Sequence, residues 1–489
     1  MRLVARHWLF AVLLCVGIAL RVLAVVSYRP ALFYIDTVRY LYDSGGNDPV
    51  GYRLPLKVIL AVGNFDLAAI VQHLLGLAMA ATIYLVLVRA GTARWLAAIA
   101  VAPVLLDAYQ IQMEQMILPD VWFEALIVAG IAALLGWGRP GLRPGMRAIV
   151  VAGLAFGISA TFRQVGEILI IPALVYLVVA GGGPRAVIAR CAVLMAAFAV
   201  PILGYMTGSY MLVGHFYLSH AGVTTTYGRM ASSADCATLR LPGVERGLCP
   251  TPAHRALGPD WLEHGQGSPI RSYYTGPLSG RASALVASFN KAVLSQQPGR
   301  VLGSYTDDVL KLFAFSKVTF PGDTPVARWQ FQASYPYLSP HATPTQVLPA
   351  IAAYGGGRPS VWKPGAAFLR GYQLGGGYTP GPLLAFCVVA GLAGTGLAGA
   401  GMARWRRLAD DATRQRLALC SLLFFGSGTA LLLMSDLFEF SWRYQLPAIV
   451  TLPPAAAAAL AGIVRLLATG RSERKEELAQ PSEQVRLRH

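Results

Sequence analysis

Apolar runs about 20 residues long, the length that crosses a bilayer, recur along this chain. Such a run must satisfy its backbone internally, which leaves a helix or a closed barrel. Only 13% of the 489 residues are charged, about half the share of a soluble domain. The chain is therefore read as an all-α polytopic membrane protein.

The formal net charge of +17 suggests nucleic acid until its placement is considered. Arg2 and Arg6 precede the first run, and Arg89 and Arg94 lie between the second and third. Arg139, Arg143 and Arg147 follow the fourth, Arg185 and Arg190 follow the sixth, and Arg404, Arg406, Arg407, Arg414 and Arg416 form another loop. Alternate short loops are basic, which is the positive-inside pattern and not a nucleic-acid footprint.

Ten spans fit both signals: Trp8–Ser27, Leu67–Val88, Trp95–Tyr109, Val121–Trp137, Ala148–Phe162, Ile168–Ala180, Ala192–Tyr210, Pro382–Met402, Leu417–Met434 and Leu446–Leu467. The first has no small-x-small cleavage site after it and is read as a retained span. Both termini are then cytoplasmic in a multi-pass cell-membrane protein. Tyr52–Gly63, broken by Arg53, Pro55 and Lys57, reads as an interfacial helix.

Four parts follow. Residues 1–211 form an N-terminal membrane module of seven spans with an outer loop at 28–66. Residues 212–378 form a mixed extracytoplasmic region between the seventh and eighth spans. Residues 379–470 form a C-terminal module of three spans, and 471–489 form a disordered cytoplasmic tail. Helices are expected in the outer region near Gly280–Ser295 and Thr306–Phe315. Cys236 and Cys249 stand outside, where an oxidising compartment favours a disulfide over two free thiols. Cys15, Cys191, Cys387 and Cys420, in or beside spans, read as small apolar residues.

Ionisable groups at membrane depth are costly and mark function. Asp36 follows the first span, with Tyr34, Arg39, Tyr40 and Asp43 beside it; its apolar flanks argue against a merely solvated loop acid. Partial desolvation is expected to raise its pKa and suit it to be a general base. Asp120 opens the fourth span after Pro119, where a cap is the plainer role. Glu124 lies one turn deeper on the same face, and Glu114 precedes them. Arg163 ends the fifth span. It is either a salt-bridge partner of Glu167 or a fourth-span acid, or a phosphate ligand. Arg443, in Trp442-Arg443-Tyr444-Gln445-Leu446-Pro447, is either an interfacial anchor or a second phosphate ligand. There is no Walker A loop, GxSxG, His-x-x-x-His or CxxC. His73 lies within a span, and His215, His220, His254, His264 and His341 show no ligand spacing.

In this order and topology, these groups resemble the GT-C superfamily of polyprenyl-phosphate-dependent glycosyltransferases, among them relatives of the bacterial protein O-mannosyltransferases and aminoarabinose transferases. The match runs through Asp36, Pro119-Asp120-Val121-Trp122-Phe123, Thr161-Phe162-Arg163, Arg443-Tyr444-Gln445-Leu446-Pro447 and Gln72-His73-Leu74-Leu75-Gly76. It covers the membrane part of the chain. It implies a GT-C-like fold that moves a hexosyl or pentosyl unit from a polyprenyl-phosphate donor to a glycan, lipid or protein acceptor outside the cell. Asp36 and Asp120 would be catalytic and Arg163 and Arg443 would bind the donor phosphate. Tyr34, Tyr40, Glu114, Glu124 and Tyr444 would support them. Thr37 stands where many members carry a second acid, which leaves metal use, by Mg or Mn, open. A flippase for lipid-linked sugar and a non-catalytic envelope scaffold are the alternatives.

Overall fold

The computed structural model describes residues 6–42, 49–136, 143–219, 221–273, 280–335, 344–404 and 412–479. Asp43, His220, His341, Arg2, Arg139, Arg406, Arg407 and tail residues 480–489 lie outside them.

The chain begins with α1 (Trp8–Ser27), the short strand β1 (Tyr28–Arg29), α2 (Ile35–Leu41), α3 (Arg53–Val62) and α4 (Phe65–Ala90). Next come α5 (Arg94–Leu106), α6 (Ala108–Gln115), α7 (Asp120–Leu134), α8 (Met146–Phe162), α9 (Ile170–Val179) and α10 (Pro184–Val213). The intervening region holds α11 (Ala221–Ser233), α12 (Pro252–Arg255), α13 (Gly258–His264), α14 (Gly280–Gln296), α15 (Pro298–Lys311), α16 (Pro344–Tyr354), β2 (Ser360–Val361) and α17 (Lys363–Leu374). The last helices are α18 (Gly381–Arg404), α19 (Ala412–Asp436) and α20 (Pro447–Ala479).

Each of the ten expected spans falls on a helix or a helix pair. Among the described residues, length and apolarity suit five of them to cross a membrane: α1, α4, α10, α19 and α20. A sixth is the pair α5 and α6, bent by 49°. The sequence reads this stretch as one continuous span, and Asp107 is where it breaks. The Asp107 carboxylate accepts from Tyr109 N at 2.9 Å and from Thr379 N at 2.7 Å. It thus caps α6 instead of letting the helix run on. The last span also differs from expectation: α20 continues past Gly470 to Ala479, into the expected tail.

The helices α19 and α20 are largely enclosed by neighbours, whereas α10 is mostly exposed. Glycines on α8 set its close approach to α10. A Cβ on Gly157 would stand 2.2 Å from the Phe198 carbonyl oxygen, and one on Gly153 2.6 Å from Ala197 Cβ. The interfacial helix α3 buries Leu56 and Leu60 and exposes Leu54, Val58 and Val62.

The region between α10 and α18 is helical and irregular rather than mixed. Among its described residues the only strand is β2, which pairs with β1 (Tyr28 with Val361, Arg29 with Ser360). It has its own small core around Tyr227, Leu262, Phe289 and Val293. Cys236 and Cys249 are joined by a disulfide beside that core. The second expected helix starts earlier than read, at Pro298, because proline opens a helix as readily as it breaks one.

Candidate active site

Local pairing brings two distant acids together. Leu32 N donates to Gln115 O at 2.9 Å, and Ile117 N donates to Leu32 O at 3.0 Å. The first loop thus lies along the segment that leads into α7. Thr37 fastens it: its buried Oγ1 accepts from Tyr34 N and donates to Ile117 O, each at 3.0 Å. Asp36 then sits on the first turn of α2, close to Asp120 on the first turn of α7.

Two arginines complete the cluster. Arg443, in the turn before α20, donates from Nη1 to Asp36 Oδ2 at 2.6 Å. It also donates from Nε to both Asp120 oxygens (3.0 and 3.1 Å) and from Nη2 to Oδ2 (2.8 Å). Arg163, which caps α8, donates from Nη1 to Asp120 Oδ1. Its guanidinium carbon lies 4.5 Å from the centroid of the Tyr444 ring. Of the two partners the sequence allows Arg163, the fold supplies the fourth-span acid and not Glu167.

The four charged side chains differ in access. Asp120 and Arg443 are 4% and 5% exposed, Asp36 and Arg163 23% and 17%. Burial raises the Asp36 carboxyl, but the Arg443 guanidinium, Arg39 and the hydrogen bond from Arg443 outweigh it. Asp36 is held below its ordinary 3.8, against the rise expected from desolvation alone. It is ionised at neutral pH.

The supporting residues separate. Tyr34 borders the cluster: Arg328 donates to its hydroxyl at 3.1 Å, and Trp329 packs against its ring at 5.0 Å. Burial and the Asp36 charge push the Tyr34 hydroxyl up to about 12, against Arg328 and Arg443. Tyr40 instead packs edge-on against Tyr52 in the core. Glu114 and Glu124 belong to a deeper polar network. Glu114 accepts from Arg21 Nε and Nη2, both at 2.7 Å, and pairs with His73 Nδ1 at 2.8 Å. Gln110 Nε2 donates to Glu124 at 2.8 Å.

Several contributors were not singled out from sequence. Arg21 lies inside the first apolar run, and two of its three remaining hydrogen bonds explain why. Nη1 and Nη2 donate to Leu105 O and Val104 O at 2.8 and 2.9 Å, carbonyls left orphaned by the break at Asp107. From the intervening region, Arg328 and Trp329 reach the site, and His264 of α13 lies close enough to lower Asp36. Glu439, hydrogen-bonded to Tyr444, is pushed well above the ordinary carboxyl range by burial, with Asp260 and Glu263 adding to the rise. Only the charge in the middle of an apolar run, Arg21, carried a readable signal.

Asp36 and Asp120 are both tied to Arg443. Among the described residues no group of three His, Cys, Asp or Glu side chains is placed to hold a metal ion.

No protein-family model matches the chain, and no curated protein matches it. Solved structures do. One is the Pmt1–Pmt2 protein O-mannosyltransferase complex of S. cerevisiae bound to the sugar donor, at 14% identity and TM-score 0.33, covering 46% of this chain and 36% of that one. Another is the archaeal oligosaccharyltransferase AglB of Archaeoglobus fulgidus with an inhibitory peptide and a dolichol-phosphate, at 13% identity and TM-score 0.43, covering 98% and 53%. A third is the Archaeoglobus fulgidus oligosaccharyltransferase tethered with an acceptor peptide, at 12% identity and TM-score 0.41, covering 94% and 50%. The chain spans about half or less of the length of these proteins.

Proposed function

We propose that this chain is a membrane glycosyltransferase that moves a sugar from a polyprenyl-phosphate donor to a cell-envelope acceptor on the extracytoplasmic face. The observation that carries the reading is the cluster of Asp36, Asp120, Arg163 and Arg443, drawn from four separated segments to one place. Costly buried charges gathered beside an outer region are what a lipid-borne and a water-soluble substrate need in order to meet.

The chemistry is a single inverting displacement. An acceptor hydroxyl oxygen attacks the anomeric carbon, the bond from that carbon to the phosphate oxygen breaks, and the hydroxyl proton passes to Asp36. The bonding pair leaves on the phosphate. Arg163 is suited to meet that growing charge: among the described residues the only hydrogen-bond partner of its guanidinium is Asp120, through Nη1. Asp120 fixes both guanidiniums. Arg443 orients Asp36, and its low pKa makes Asp36 a weak base that is always available.

The charge pattern of the loops, read as ten spans with both termini inside, supports an outer location for the cluster and the intervening region. A flippase would need a path through the bilayer. The deeper charges Arg21, His73 and Glu114 satisfy one another and orphaned carbonyls, which favours a structural role for them.

The test is incubation of the purified protein with a panel of polyprenyl-phosphate sugars, scoring release of the lipid phosphate. Release is expected with at least one donor and is lost in Asp36→Asn with folding intact. Full activity of Asp36→Asn removes the base assignment, and no release from any donor removes the transfer reading.

A further inference from the structure

The loop 437–446 joins α19 to α20 and carries Arg443, which bonds both Asp36 and Asp120. It closes on itself: Gln445 Nε2 donates to the Asp436 carboxylate at 2.8 Å, and both side chains are buried. What grips this ring comes from the intervening region. Arg229 of α11 is 1% exposed. It donates from Nη2 to Asp436 O at 2.9 Å and from Nε to Leu437 O at 3.3 Å. These carbonyls stand at the end of α19, where no partner exists within the helix. The other bonds of Arg229 return to its own region, from Nη1 to Ser304 Oγ at 2.8 Å and from Nη2 to Asp308. Asp308 pairs with Lys311 at 2.6 Å, and Lys311 with Asp323 at 2.8 Å. A second tie lies further along the loop, where Trp442 Nε1 donates to Val318 O at 2.8 Å.

A buried arginine at a helix end is ordinarily a cap, and capping accounts for the two carbonyls. It does not account for the closure at Gln445, two residues past Arg443, on the same Asp436 whose carbonyl Arg229 grips. Arg443 has to meet carboxylates from two other segments at 2.6 to 3.1 Å. A long side chain on an untethered loop pays backbone and rotamer freedom to keep that geometry. A loop fixed at its entry and closed at its exit has surrendered that freedom already.

We infer that Arg229 is a positioning residue: from the intervening region it sets the loop through Asp436 and Gln445, and so holds Arg443 on Asp36. Arg229 makes no hydrogen bond to any of the four charged residues, so its effect passes through the loop. The intervening region then completes the site as well as covering it. The role in transfer rests on the reading above; the coupling to Asp36 does not, and the two are tested separately.

The experiment is a set of double-mutant cycles on the full chain in detergent. The cost of Asp36→Asn is measured by denaturant unfolding in wild type, Arg229→Gln, Gln445→Leu and Arg300→Gln. Gln445→Leu removes the closing bond alone and carries the test where Arg229→Gln does not fold. Arg300→Gln is the control, since Arg300 Nε donates to Ser233 O at 2.9 Å, a tie within the intervening region that does not touch the loop. The cost of Asp36→Asn, as a fold-change in the unfolding constant, should shrink about fivefold or more in Arg229→Gln and Gln445→Leu and keep its wild-type value in Arg300→Gln. Where a donor sugar is found, the release rate is also followed against pH. Burial raises Asp36, and Arg443, Arg39 and His264 together outweigh it. With Arg443 displaced, Asp36 rises, so the acid limb of the rate moves to higher pH in the two loop variants. A fault of folding lowers the whole profile and leaves the limb in place. Additive costs in the loop variants, or an acid limb that stays where it is in wild type, overturn the inference. Coupling in a protein that transfers no sugar leaves the hold on Arg443 standing and removes the transfer reading.

Discussion

Gly76→Ala tests the packing beneath the site. A Cβ at position 76 would lie 2.1 Å from Glu114 Oε1, 2.5 Å from Cδ and 2.9 Å from Oε2, where real contacts do not fall below 3.0 Å. Glu114 therefore has to retreat by about 1 Å to regain ordinary van der Waals separation. That carboxylate accepts two bonds from Arg21 at 2.7 Å and pairs with His73 at 2.8 Å, all buried. A retreat of that size takes these contacts out of hydrogen-bond range. Breaking a buried ion pair costs about 3–5 kcal/mol. Alanine returns about 0.5–1 kcal/mol of helix propensity, so a net loss of about 2–4 kcal/mol is expected. Gly204→Ala is the control: it too lies in a long helix, α10, and a Cβ there meets nothing within 4 Å. The assay is resistance to denaturant in detergent, followed by size-exclusion chromatography of the fluorescently tagged protein. Gly76→Ala should unfold at lower denaturant than wild type, and Gly204→Ala at equal or higher. Matching curves for the two variants would refute the claim that Glu114 is held where the glycine leaves room.

Other expectations concern the site and its outer cover. Asp120→Asn and Arg443→Gln share three charge-assisted bonds, so a double-mutant cycle on stability should give a coupling of about 2–3 kcal/mol; a value under about 0.5 kcal/mol would mean the pair acts independently. Asp36 has a folded pKa below its ordinary 3.8. Its stabilisation is then fully present above that value and fades as pH falls through the lower folded one. The stability gap between wild type and Asp36→Asn should be flat from neutral pH to about 5 and close only in stronger acid; a gap that closes near pH 6 contradicts the pairing with Arg443. Asp323 behaves oppositely: burial raises it to about 6, more than Lys311, shared with Asp308, returns. Its contribution is present below the unfolded value and lost as pH rises through about 6. Protection of the α15 amides, corrected for the intrinsic rise of exchange with pH, should fall over that interval in wild type and not in Asp323→Asn.

How much of this was legible in the sequence depends on what each residue's partner is. Asp36, Asp120, Arg163 and Arg443 stand out because each breaks an apolar context at the end of a run, and that signal is local. Which of them bind one another is not local: Arg443 reaches Asp36 across 407 positions and Asp120 across 323. The break at Asp107 hid for a related reason, since its second carboxylate oxygen is held by Thr379 N, far along the chain. Thr37 shows the limit of a motif. In place of a second acid it presents a buried hydroxyl that ties the first loop to Ile117. The resulting exposures divide the labour. Asp120 and Arg443, nearly sealed, form a frame that any substrate would find costly to open. Asp36 and Arg163, each held on one side by that frame, keep about a fifth of their side chains open. That is the arrangement the proposed displacement asks of its base and its charge-stabilising donor, held from behind and open in front.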